Sequence, residues 1–128
     1  MRDDIVLLAS RLLLAWIFLH EGAFLLANYS ASAAGMAKMG APSFVLAPVI
    51  VLQLVAGLSI AAGCYARCGA LALGLFCLAT ALLFHSNFAV RNELLHFEKD
   101  IAIAGGMFAL MVSGAGRWSV DGWRTGRV

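Results

Sequence analysis

Four stretches of the chain, each about 20 residues long and mostly apolar, have the length a helix needs to cross the hydrocarbon core of a bilayer. They run from about Ile5 to Ala27, Ser43 to Gly63, Cys68 to Phe88 and Phe97 to Ala115. A polar lead-in starting near Asn92 extends the last of them to a helix over about 93–115. The 128 residues are 62% hydrophobic and 12% charged, with a mean hydropathy of +0.91. A soluble domain is roughly half apolar and a quarter charged. A chain this short cannot bury that much apolar surface in its own core. The expected fold is therefore all-α: one membrane domain over residues 1–128, a bundle of four transmembrane helices in the lipid bilayer.

The turn between the second and third runs is only a few residues around Tyr65-Ala66-Arg67, so those helices are expected to be antiparallel neighbours. A longer Ala/Ser/Gly-rich connector, Asn28 to Pro42, joins the first pair and closes on Gly40-Ala41-Pro42. Within it, Ala31-Ser32-Ala33 has the small-x-small pattern of a signal cleavage site. The apolar run before it is too long for a signal-peptide core and lies far from that site.

With four spans, the N-terminus, the middle turn and the C-terminus share one side. That side holds Arg2, Arg11, Arg67, Arg117, Arg124 and Arg127, against Lys38, Arg91 and Lys99 on the other. The positive-inside tendency then places both termini in the cytoplasm. Trp118 and Trp123, beside Arg117 and Arg124, read as interfacial anchors. Gly57 with Ala61, Ala70 with Gly74, and Ala102 with Gly106 are small-xxx-small pairs that permit close helix approach.

The net charge of +2 is small and the basic residues form no stripe, so nucleic acid is not an expected partner. The nucleophile elbow, the P-loop and the dinucleotide fingerprint are all missing, and Gly105-Gly106 lies inside an apolar helix. Cys64, Cys68 and Cys77 form no C-x-x-C pair and read as small apolar residues, two of them flanking the reducing-side turn.

Ionisable groups inside apolar spans are costly, at least about 2.5 kcal/mol near a helix centre, and each asks for an explanation. His20 lies fifteen residues past Ile5, roughly 22 Å along the first helix at 1.5 Å per residue, and Glu21 follows it. His85 closes the third run just before Ser86 and Asn87, and His96 opens the fourth. Asn92 suits an N-cap, and a helix beginning there places Glu93, His96 and Asp100 on one face, bordered by Lys99. These residues are expected to form a polar pocket facing the outer leaflet. It would hold a quinone headgroup, relay protons or bind another small polar ligand, since histidines and carboxylates titrate near working pH when mildly perturbed. The alternative is a hydrogen-bond network that only ties the helices together, with some residues at headgroup level. No H-x-x-x-H spacing occurs and no metal centre is expected. Arg11 is expected to snorkel to the nearby interface, and Gln53, in mid-span, to find a partner within the bundle.

The pieces Arg11-Leu-Leu-Leu-Ala, Phe18-Leu-His-Glu-Gly22, Met39-Gly-Ala-Pro42, Val55-Ala-Gly-Leu and Ala62-Gly-Cys-Tyr-Ala-Arg67 together form a pattern. It continues with Leu83-Phe-His-Ser-Asn-Phe88, His96-Phe, Ala102-Ile-Ala-Gly-Gly106 and Gly116-Arg-Trp-Ser-Val-Asp121. In these the chain resembles the DoxX family of small four-helix bacterial membrane proteins over nearly its whole length. The resemblance implies an inner-membrane bundle. Some relatives look like subunits of quinone-linked oxidoreductases, including thiosulfate:quinone systems, and others are tied to membrane redox-stress complexes. By position, His20, Glu21 and Gly22 match the family's first-helix motif, and His85, Asn87 and His96 its outer-loop motif. Two departures weaken a charge-driven pathway: Phe24-Leu25-Leu26 stands where a lysine is usual, and Gln53 where a glutamate is common.

Three functional classes stay open. The first is a membrane subunit of a redox system that exchanges reducing equivalents with the quinone pool through a soluble or membrane partner. No haem motif, iron–sulfur spacing or flavin fold is present, so its redox group would be quinone or the partner's own. The second is a non-catalytic scaffold for partner proteins. The third, a small transporter, lacks the expected broken helices and inverted repeats. Four short helices bury little polar surface alone, which leaves room for a homo-oligomer.

Overall fold

A computed structural model describes residues 1–127 and is helical from end to end among them. The elements are α1 (Arg2–Ala27), α2 (Tyr29–Lys38), α3 (Leu46–Ala62), α4 (Ala66–Phe84), α5 (Arg91–Ser113) and α6 (Val120–Arg124), with a single 3₁₀ turn, Ser43–Val45, leading into α3. The long helices pack in series, α1 on α3, α3 on α4 and α4 on α5, and the seam between α1 and α5 is the loosest. Three helical segments are long and apolar enough to cross a membrane: Arg2–Ala27, Ser43–Ala62 and Ala66–Phe84. The α5 helix is long but not apolar throughout. Arg91, Glu93, Glu98, Lys99 and Asp100 occupy its first ten residues, leaving Ile101–Ser113 as its apolar part. That part spans roughly 20 Å at 1.5 Å per residue, less than the ~30 Å of a hydrocarbon core.

The outward faces are apolar. Val55, Leu58, Leu75, Leu82, Leu83 and Val112 are each more than half exposed, a surface that water would not tolerate at this density. Inside, Ala15, Phe18, Ile60, Leu73, Cys77, Ala104 and Met107 form the core. Gly57 receives Leu19 of α1, and Gly74 receives Phe108 of α5. Those two small-residue sites lie at helix interfaces; Ala102 is exposed and does not.

The Asn28–Pro42 connector is not a loop. Its alanines carry α2, which follows α1 after the single residue Asn28. Alanine is the strongest helix former, and the helix stops before Gly40, whose φ is +78°.

At the arginine-rich end the packing is polar and specific. The Arg11 side chain is buried rather than snorkelling. Its Nη1 donates to the Ala115 carbonyl at 2.6 Å and its Nη2 to that of Trp118 at 2.9 Å. The reach that would have carried the guanidinium to the headgroups is used to bind the backbone of the α5–α6 segment. Gly63 ends α3 in the left-handed region and touches Arg11 and Ser119, so a Cβ there would collide with both. Asp121 completes the knot. Its amide donates to the Gly63 carbonyl at 2.8 Å, and its carboxylate accepts from the amides of Tyr65 at 2.9 Å and Ala66 at 3.0 Å. The free amides at the start of α4 are thereby capped. The same bonds hold Tyr65 at φ +52°, a conformation few non-glycine residues adopt. Arg11→Leu is expected to lower stability by about 2–3 kcal/mol, because two buried carbonyls lose charged donors. Thermal unfolding in detergent measures this, and Arg11→Lys should restore only part of it, since an ammonium lacks the two-pronged reach of guanidinium.

Candidate functional site

The buried face of α1 carries Arg11, Ala15, Phe18 and Gly22, spaced as one stripe of a 3.6-residue helix. Glu21 lies on the flank of that stripe. His20 stands two residues from both Phe18 and Gly22, rotated by about 200° from each. It faces away from the bundle, exposed, with its ring stacked on Trp16 at 6.1 Å between centroids. The structure therefore does not bring His20 into a shared pocket with the other histidines.

What it does assemble is a cavity of about 460 Å³ in the other half of the molecule, walled by all four long helices. Phe18 and Glu21 come from α1, Gln53 from α3, Cys77 and Thr80 from α4, and His96, Lys99 and Asp100 from α5; His85, capping α4, lies at its margin. Its size falls within the usual range for small-ligand pockets, and its lining is the usual mixture of apolar walls and a few polar groups.

The polar groups fall into three sets. The Thr80 hydroxyl lies 3.0 Å from both Asp100 Oδ2 and the Cys77 carbonyl, linking α4 to α5. Nearer the helix ends, His85 Nδ1 and Glu93 Oε2 are 3.1 Å apart, and the His85 and His96 rings lie 5.1 Å apart at 31°. Glu93 does not line the cavity but orients a residue that does. Gln53 is the third set. It is only 5% exposed, and its Oε1 has no hydrogen-bond partner. The partner expected inside the bundle is not there. A buried amide oxygen left unpaired costs on the order of 1–3 kcal/mol, which makes this atom the least satisfied in the cavity wall.

The remaining candidates fall outside. Asn87 is exposed in the α4–α5 loop, where its carbonyl accepts from the Val90 amide at 3.2 Å. The helix begins at Arg91 with Val90 in the capping position, so Asn92 is not its cap. Glu93 and His96 have an E-x-x-H spacing, yet no three ligand-type side chains converge among the described residues. Of the cysteines, Cys77 is buried at the cavity, Cys64 half-buried and Cys68 exposed. Thr80 and Cys77 drew no functional attention in the sequence. The available signal was a hydroxyl, Thr80, within the third apolar run.

An apolar exterior and three helical segments long and apolar enough to cross a bilayer define a multi-pass integral membrane protein. The DoxX family profile matches residues 6–86, well over half of the chain. Inner membrane protein YqjF of Escherichia coli (strain K12) is 38% identical over 119 residues, covering 93% of this chain and 92% of that protein. Inner membrane protein YphA of the same organism is 29% identical over 124 residues, covering 91% and 89%. No solved structure matches. The chain belongs to the DoxX family and is a multi-pass inner-membrane protein. The profile match ends at residue 86, before α5, so His96, Lys99 and Asp100 lie beyond it.

The geometry separates His20 from Glu21 within the first-helix motif. Thr80→Val, which leaves Asp100 without its hydroxyl donor, is expected to lower stability by about 1 kcal/mol. His20→Ala is expected to leave the thermal midpoint unchanged, since its side chain is exposed and among the described residues only stacks on Trp16.

Proposed function

We propose that the cavity around Gln53 binds the headgroup of a quinone or quinol, and that the protein is the membrane subunit of a quinone-linked redox system. The observation that carries this reading is the unpaired Oε1 of Gln53, buried in a cavity with carboxylates, a hydroxyl and an imidazole. A quinol hydroxyl donates to such an oxygen, and a quinone carbonyl accepts from the same amide's NH₂. Phe18 and Phe76 supply the apolar walls a ring needs. Glu21, Asp100 and His96 are placed to take up protons as a quinol is oxidised to quinone, with the two electrons passing to a redox partner. The bound quinone supplies the redox chemistry, and this chain's residues position the ring and hold protons.

In this reading α5 is the fourth span. Its charged first turns face the cavity and the membrane surface, and four spans put both termini on the cytoplasmic side, as the arginine distribution favours. Cys68, exposed in the first turn of α4, tests the orientation. A membrane-impermeant maleimide should label it in inside-out vesicles and not in intact spheroplasts; the reverse pattern would invert the topology.

Quinone content of protein purified in mild detergent tests the site. Wild type and His20→Ala should retain quinone, and Gln53→Leu should retain about tenfold less, the loss of a hydrogen bond from a desolvated site. Equal, negligible quinone in all three would reject the redox reading in favour of a scaffold.

A further inference from the structure

At the opposite, arginine-rich end lies a second cleft, of about 560 Å³, sharing no lining residue with the cavity around Gln53. Three arginines line it: Arg67 from the first turn of α4, Arg117 from the α5–α6 segment and Arg127 from beyond α6. Two carboxylates also line it, and both already accept hydrogen bonds from backbone amides of the same wall. Asp121 accepts from the amides of Tyr65 and Ala66 at 2.9 and 3.0 Å. Asp4 lies 3.4 Å from the terminal amino group and accepts from the Arg117 amide at 3.3 Å.

Of the three arginine side chains, only that of Arg117 has a hydrogen-bond partner among the described residues. Arg67 makes no side-chain hydrogen bond or ion pair among the described residues. Its guanidinium lies over Gly114, where a Cβ would come within 3.1 Å of Nε and 3.2 Å of Nη2. Glycine at φ +78° therefore makes the floor on which this side chain rests. Arg117 Nε donates to the Arg127 carbonyl at 2.7 Å, which ties the segment after α6 onto the same wall. The cleft sits at the ends of α4 and α5, beside the exposed Trp118 and Trp123, the level at which aromatic side chains meet headgroups.

We propose that this cleft binds a phosphate group, presented by the headgroup of an anionic phospholipid or as the free anion. Planar guanidinium forks match phosphate oxygens in pairs, and basic pockets at the cytoplasmic ends of membrane helices suit such headgroups. The site does not depend on the quinone reading.

The test uses the full chain in neutral detergent, titrated separately with phosphatidylglycerol, phosphatidylcholine and inorganic phosphate. Native mass spectrometry counts bound lipid, and tryptophan fluorescence follows the titration. Wild type should bind phosphatidylglycerol in preference to phosphatidylcholine, or bind inorganic phosphate, and Arg67→Gln and Arg127→Gln should each weaken that binding by about tenfold. Binding or competition by inorganic phosphate identifies the free anion as sufficient; preference for the lipid with no effect of phosphate identifies the headgroup held by its chains. Arg127→Gln, whose side chain makes no hydrogen bond among the described residues, keeps the test decisive if Arg67→Gln unfolds. No binding of either probe, or affinities unchanged in both variants, would overturn the proposal.

Discussion

Arg11 is the point on which the arginine-rich half of the molecule is built. In hydrocarbon there is no water to satisfy a guanidinium or a stray carbonyl, so each must find the other within the protein. One side chain of α1 binds the carbonyls of Ala115 and Trp118, and so joins the first long helix to the segment that follows the last. That segment then delivers Asp121 to the start of α4 and to Gly63 at the end of α3. All four long helices are fixed at one end by this relay, although α1 and α5 touch only loosely along their lengths.

The other half is organised differently, and the contrast gives the cavity its meaning. There the polar groups are only partly matched: Thr80 with Asp100, His85 with Glu93, and Gln53 with nothing at its oxygen. Around Arg11 both Nη atoms are bonded and only Nε lacks a partner. The network around Gln53, open, lined by phenylalanines and walled by all four long helices, is suited to a ligand that brings its own hydrogen-bonding groups and an apolar ring. The polar first turns of α5 serve this cavity. They are also what keeps α5 from being long and apolar enough to count among the evident spans.

Much of the fold could be read from the sequence because apolar runs of the right length leave few alternatives. The runs at 5–27, 43–63 and 68–88 lie within a few residues of α1, α3 and α4, and 93–115 of α5. The helix within the connector was not legible because its alanines and serines give no amphipathic pattern, while their helix propensity is enough to form α2. In the site, the type and depth of the polar residues were legible and their direction was not. His20 and Glu21 are adjacent in sequence, yet a turn of about 100° per residue sends one outward and leaves the other at the cavity. Arg11 and Gln53 stood out as misfits in apolar runs. Which of them would be satisfied depended on carbonyls and side chains far away in the chain, and no local pattern encodes that.

The central claim is that Gln53 lacks a partner because a ligand supplies it. An experimental structure of the protein in a quinone-containing bilayer tests this directly. The expected result is planar non-protein density within hydrogen-bonding distance of the Gln53 amide, between Phe18 and Asp100. An amide turned to bond a protein group, with only acyl chain or a collapsed void beside it, would contradict the claim.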